Sequence, residues 1–176
     1  WQKEMKEWIT KDLGIDPKKV HEKEVSKDDR AHYSKKTVDF EYDYPFGQKE
    51  LYGLAYRADF DLKNHEKNSG QNLKYRDPET GEEFLPHVIE PTFGLDRSVL
   101  ATLLEAYHED GERVVLKLPS KLAPYKAAVF PLLKNKPELV ELAKKIYNDL
   151  RKDIMVAWDD RGNIGKRYFS QDEIGT

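Results

Sequence analysis

The chain contains no cysteine among its 176 residues. That absence removes disulfides, thiolate nucleophiles and cysteine-ligated zinc from its chemistry, and it fits a reducing, cytoplasmic setting. Long hydrophobic runs are missing too. No apolar stretch approaches the roughly 20 residues that a bilayer-spanning helix needs, so no membrane partner is expected. Charge of one sign is not in excess: 30 basic residues stand against 33 acidic ones, for a formal net charge of −3. A globally basic nucleic-acid footprint is therefore excluded, and any such surface must be local. The histidines at 21, 32, 65, 87 and 108 show no metal-ligand spacing, so no metal site built from protein ligands alone is expected.

What is present is enough chain for a sizeable core, in one generous domain or two small ones. The chain opens on Trp1 and stops at Gly175-Thr176 directly after a charged segment, and the expectation is a piece of a longer polypeptide. Trp1, Met5, Trp8 and Ile9 recur at helical spacing, with Gly14 placed as a cap. Asp16-Pro17 restarts a short helix. From Val38 to Tyr44 strict alternation predicts a strand with one wet side. A second strand, Glu50 to Arg57, follows the Pro45-Phe46-Gly47 turn as an antiparallel partner. Lys63 to Gly81 is polar and reads as an excursion between strands.

A strand from Leu85 to Glu90, a helix from Ser98 to Tyr107 and a strand from Val114 to Leu118 are predicted next. Beyond Pro119 and Pro124 come a strand at Ala127 to Leu133, a helix from about Pro137 to Arg151 and a strand at Ile154 to Trp158. Leu139, Ala143, Ile146 and Leu150 form that helix's apolar stripe. Strand, helix and strand in this order predict a parallel βαβ crossover, hence an α/β tail that lacks its last strands. The residues after the turn at 159–162 read as a polar segment.

Chemistry concentrates at Val88 to Arg97. Residues two apart on a strand share a face, so Glu90 and Thr92 project together. Gly94 permits close backbone approach to a ligand. Arg97 falls in the first turn of the following helix, where orphan amides and the helix dipole already favour an anion. Its guanidinium can fork onto phosphate oxygens. Functionally, Glu90 binds an ammonium group or assists a metal, and Arg97 binds a triphosphate. As structure alone, Glu90 is a cap and Arg97 an ion-pair partner. Further along, Arg161, Lys166, Arg167 and Tyr168 combine positive charge with a ring that suits stacking on unpaired bases, or else they form a solvated face.

The run Val88-Ile89-Glu90-Pro91-Thr92-Phe93-Gly94-Leu95-Asp96-Arg97 resembles motif 3 of class II aminoacyl-tRNA synthetases, in the form found in dimeric glycyl-tRNA synthetases. Ala31-His32-Tyr33-Ser34, Glu50-Leu51-Tyr52-Gly53-Leu54-Ala55, and Arg57 with Asp59-Phe60-Asp61-Leu62 resemble the same family in the same order. Leu122 to Val129 and Ile164 to Tyr168 are similar to its anticodon-binding domain. The resemblance implies an α+β fold: part of the class II antiparallel sheet with flanking helices over 1–118, then a partial α/β anticodon-binding domain over 119–176.

It also implies ATP-dependent activation of glycine to the adenylate and transfer to tRNA(Gly), in a homodimer. Glu90 and Arg97 would be catalytic. Glu90, Pro91, Thr92, Phe93 and Gly94 would hold glycine. Glu50, Leu51, Gly94, Leu95, Asp96 and Arg97 would border ATP, with magnesium accompanying ATP near Glu50. Arg161, Lys166, Arg167 and Tyr168 would meet tRNA. Thr92 stands where the family usually has serine, which keeps the hydroxyl and adds a methyl. Motifs 1 and 2 have no counterpart, so the chain alone is expected to be inactive. The alternative is a non-catalytic nucleic-acid-binding relative, such as a polymerase accessory subunit.

Overall fold

A computed structural model describes all residues, 1–176. It is mixed α and β, with several antiparallel sheets, and its contacts divide it into two compact units. One comprises 1–8 and 16–98; the other comprises 9–15 and 99–176. The division falls inside the helix after Gly94.

The first unit is built on a four-stranded antiparallel sheet in the order β1-β2-β3-β6. Its strands are β1 (Val20–Glu24), β2 (Lys36–Tyr44), β3 (Gly47–Ala58) and β6 (Val88–Phe93). β2 follows its predicted alternation: Val38, Phe40, Tyr42 and Tyr44 are buried, while Asp39, Glu41 and Asp43 are not. The hairpin is tighter than expected, since Tyr44 pairs directly with Gly47 and the turn is Pro45-Phe46 alone. Helix α1 (Gln2–Glu7) supplies Met5 to the core. After it, Trp8–Asp12 widens into a π-type turn, and the Asp16 carboxylate caps the short helix Pro17–Lys19 through the Lys18 amide.

Three sequence expectations need correction in this unit. Lys63 to Gly81 is not simply irregular: α2 (Phe60–Ser69) occupies its start and ends on Gly70 in the left-handed conformation. That helix buries no residue, so it has no apolar stripe for periodicity to detect. The rest of the excursion carries the two-residue pair β4 (Tyr75–Arg76) and β5 (Glu83–Phe84). The strand expected at Leu85 to Glu90 lies three residues later, as β6. It runs through Pro91 because β6 is a sheet edge, where a missing N–H costs no ladder bond. β1 was missed altogether; Val20 is its one buried residue, and charges blunt the edge.

The second unit begins within α3 (Leu95–Ala106), which starts three residues before its predicted bound and buries Ala101, Thr102 and Ala106. β7 (Tyr107–Asp110) and β8 (Arg113–Leu116) form a hairpin about Gly111. β9 (Ala127–Val129), α4 (Pro137–Leu150) and β10 (Val156–Trp158) follow, with Val156 paired in parallel to Ala127. The crossover matches the sequence reading, with strands shortened: β9 stops before the buried Pro131. The stripe on α4 is only partly covered, since Ala143 is buried and Ile146 exposed. The end of the chain is helical, as α5 (Ile164–Asp172), capped by the Asn163 side chain on the Lys166 amide.

Candidate active site

Two bulges decide what stands on the open face of the first sheet. Between β2 and β3 the register steps from Phe40↔Tyr52 to Glu41↔Glu50, leaving Leu51 as the extra residue. Leu51 and Tyr52 are consecutive and both buried, at 0% and 1% exposure. A bulge is how a strand can do this, and it turns Glu50 onto the wet face opposite Glu41. A second step, between Tyr56 and Ala58 on β3, makes Arg57 the extra residue against β6.

Directly paired residues share a face, so the register lays out rows. One row holds Asp39, Gly53 and Thr92; the next holds Thr37, Ala55 and Glu90. Glycine and alanine at the centre of these rows leave a low floor about 10 Å wide, two strand spacings, between the side chains of β2 and β6. The expectation that Glu90 and Thr92 project together agrees with this register. They stand on an open shelf: Thr92 is exposed and Glu90 half-buried.

Arg57 closes one end of the shelf. Its Nη1 donates to Glu90 Oε2 at 2.6 Å, while Nε and Nη2 donate to the two oxygens of Asp61, each at 2.7 Å. Its guanidinium also lies 3.9 Å over the Tyr33 ring. The hydrogen bonds from Arg57 hold the Asp61 carboxyl below its ordinary range. The bonds to Asp61 and then Glu90 push the guanidinium's own pKa still higher. Glu90 thus has one oxygen fixed and the other available.

At the opposite end, Arg97 Nη1 lies 3.2 Å from Glu50 Oε1, with both side chains about half exposed. A pair so wet contributes under about 1 kcal/mol, so either partner can leave it for a ligand. Arg97 is placed by its neighbours. Ser98 Oγ donates to the Gly94 carbonyl at 2.6 Å, and the Tyr52 hydroxyl donates in turn to Ser98 Oγ. At Gly94 a Cβ would meet Arg97 Cδ at 3.2 Å and the Leu51 carbonyl at 3.4 Å, so a side chain there would crowd the guanidinium.

Leu51 and Phe93 sit differently from Glu50 and Thr92. The Leu51 side chain is buried, and only its backbone borders Gly94. Phe93 packs edge-on against Tyr52, ring centroids 4.8 Å apart. Pro91 is half-buried, while Leu95 and Asp96 are exposed.

Carboxylates accumulate at the Glu50 end. The Asp39 carboxyl is pushed up by burial, then by the neighbouring Glu50 and Glu41. Sequence reasoning quoted Arg57, Asp61, Gly53 and Ala55 without giving them roles; it missed Ser98 and Asp39. A bulge leaves no periodic signature, so Glu50's direction was not visible either.

The chain is 46% identical over 181 residues to the glycine–tRNA ligase of Geobacillus thermodenitrificans, a match that takes in 100% of this chain and 38% of that protein. The glycine–tRNA ligases of Caldanaerobacter subterraneus subsp. tengcongensis and Staphylococcus haemolyticus match at 45% and 44%, again over 100% of the chain and 38% of theirs. Along its whole length the chain is a homologue of glycine–tRNA ligases. It spans well under half the length of these curated relatives. No family model matches it.

The residues expected to meet tRNA divide by environment. Arg167 is 3% exposed and gives its donors to the carbonyls of Arg161, Pro131, Asp160 and Gly162 at 2.7–3.2 Å. It ties together the turn at 159–162. Arg161 is bound to Asp159, Nε to Oδ1 at 3.0 Å. The side chain and backbone of Arg161 hold the Asp159 carboxyl down at about 2. Lys166 and Tyr168 are exposed, Tyr168 edge-on to Phe130.

Proposed function

We propose that this chain carries part of the glycine- and ATP-binding site of a class II glycine–tRNA ligase, followed by the start of its anticodon-binding domain. The observation that carries the reading is the register of β3 and β6. It puts Glu90 and Thr92 around a floor of Gly53 and Ala55, in a chain that is homologous throughout to proteins named glycine–tRNA ligase.

In this reading the free oxygen of Glu90 faces the ammonium group of glycine, and the Thr92 hydroxyl accepts a second hydrogen bond from it. Arg57 keeps the carboxylate from turning away. A substrate without a side chain is selected by leaving no room for one, and the low floor accommodates the smallest amino acid. Arg97 exchanges its loose pair with Glu50 for phosphate oxygens of ATP. Magnesium, when bound with ATP, would neutralise phosphate charge, with Glu50 beside it. The chain's own contribution is positioning and charge, as the glycine carboxylate attacks the α-phosphorus and pyrophosphate leaves. Lys166, Tyr168 and Arg161 are proposed to meet tRNA(Gly), with Arg167 acting through the turn it ties. A homodimer in the cytoplasm completes the reading.

Glycine-dependent exchange of pyrophosphate into ATP, measured on the protein that carries these residues, tests it. Glu90→Gln should raise the KM for glycine by about thirtyfold, the worth of a hydrogen bond to a charged group. Exchange that is indifferent to glycine, or a Glu90→Gln protein with an unchanged KM, would overturn it.

A further inference from the structure

Ser98 follows Arg97 and has no role in the chemistry proposed above, yet the turn that carries Arg97 is fastened through it. The Gly94 carbonyl accepts twice from this residue, from its amide at 2.9 Å and from its Oγ at 2.6 Å. A serine hydroxyl has one proton. Because Ser98 Oγ gives it to that carbonyl, its bond with the Tyr52 hydroxyl runs the other way, with the tyrosine donating. Tyr52 is 1% exposed, and Phe93 meets its ring edge-on with centroids 4.8 Å apart. The tyrosine hydroxyl is therefore a fixed point, and the chain of bonds from Tyr52 through Ser98 to Gly94 ties the first turn of α3 to β3.

One short stretch of β3 governs both partners of the Arg97–Glu50 pair. Across the extra residue Leu51, Glu50 stands on the open face while Tyr52 points to the core. Through Ser98, Tyr52 then sets where Arg97 begins. The pair itself is too wet to hold this spacing, at 3.2 Å with both side chains about half exposed. A triphosphate entering there meets a cation and a carboxylate already set at a fixed separation, so less order has to be imposed on binding. Tyr44 supplies the contrast. It too faces the core, from β2, and is 6% exposed, but its hydroxyl is buried without a partner.

We propose that Tyr52 and Ser98 are positioning residues for the triphosphate of ATP: their hydroxyls fix the place of Arg97 relative to Glu50 and so raise nucleotide affinity without touching the nucleotide. The inference rests on the function proposed above and adds which groups behind the open face hold its phosphate end in register.

The test is pyrophosphate exchange on the full-length protein that carries these residues, with ATP varied at saturating glycine and glycine varied at saturating ATP. Ser98→Ala should raise the KM for ATP about fivefold, the worth of one neutral hydrogen bond, and leave the KM for glycine unchanged. Ser98→Thr keeps a hydroxyl that reaches the carbonyl four residues back, and should restore the wild-type value. Tyr52→Phe should raise the KM for ATP as well. Combined with Ser98→Ala it should add nothing, because the tyrosine acts through the serine. Tyr44→Phe removes a buried hydroxyl that has no partner, and should match wild type.

Equal rises in both KM values would overturn the proposal, as would a Ser98→Thr protein no better than Ser98→Ala. So would a Tyr44→Phe loss equal to that of Tyr52→Phe, or additive effects of Tyr52→Phe and Ser98→Ala. Equilibrium dialysis with the β,γ-methylene analogue of ATP separates this inference from the one it rests on. A wild type that binds the analogue but shows no glycine-dependent exchange would count against the proposed function, while binding about fivefold weaker in Ser98→Ala would still support the hydroxyl chain. Equal affinity in wild type and Ser98→Ala would refute it.

Discussion

Gly53→Ala separates what the sheet needs from what the shelf needs. A Cβ at this position would lie 3.9 Å from both Asp39 Oδ1 and Glu50 Oε1, ordinary van der Waals contact, so the substitution displaces nothing. Glycine inside a strand is worth about 0.5–1 kcal/mol less than alanine, because it loses more backbone freedom on folding. The variant should therefore be more stable, and for a chain of this size the gain is about 1–4 °C in Tm. The added methyl nevertheless rises from the floor between Asp39 and Thr92, where the smallest amino acid is proposed to lie. Misfit by one methyl in a shaped site costs about 1–3 kcal/mol, a loss of about 10–200-fold in kcat/KM for glycine. Scanning calorimetry and pyrophosphate exchange on the same preparation read the two effects. A protein that is stabilised and fully active would refute the shelf as the substrate's seat; one that is destabilised would refute the register assigned to β2 and β3.

Two further outcomes follow from side chains in opposite circumstances. Arg167→Met removes a buried guanidinium that serves the carbonyls of Pro131, Asp160, Arg161 and Gly162, and should cost about 3 kcal/mol in urea unfolding. A loss below about 1 kcal/mol would mean that water replaces the guanidinium. Asp39→Asn should act in the other direction. Because the folded protein raises this carboxyl above its ordinary value of 3.8, ionising it opposes folding. The variant should be the more stable protein near neutral pH, with the gap closing as pH falls through the raised value and vanishing below the ordinary one. A gap that persists in acid would point to packing instead of charge.

The shared face of Glu90 and Thr92 was legible because a strand alternates with period two; Gly94 placed Arg97 early in a helix, and of its two readings the ion pair is the one present, with Glu50. The βαβ order of β9, α4 and β10 was legible from apolar spacing alone. What escaped has a common physical cause: structure held by polar contacts leaves no hydrophobic period. α2 is such a case, tethered by Arg57–Asp61 and Asp59–Lys63 pairs with nothing buried. α5 is another, ordered by an asparagine cap and a buried arginine. The grip of Arg57 on Glu90 joins residues 33 positions apart, which no local pattern can announce.

The extra residue at Leu51 has a consequence for how this surface can vary. A regular strand forces every second residue to obey the core, so changing a charge on one face never disturbs the other, but moving it by one position always does. Here the kink lets two neighbours both face inward, and the glutamate before them turns outward. Deleting a single residue at 51 would restore perfect alternation with Glu50 still outward, opposite Glu41, and would cost the core the buried Leu51 side chain. What the extra residue adds is therefore volume beneath the sheet: an isoleucine or methionine can stand in for Leu51, whereas its loss leaves a gap in the core under an unchanged open face.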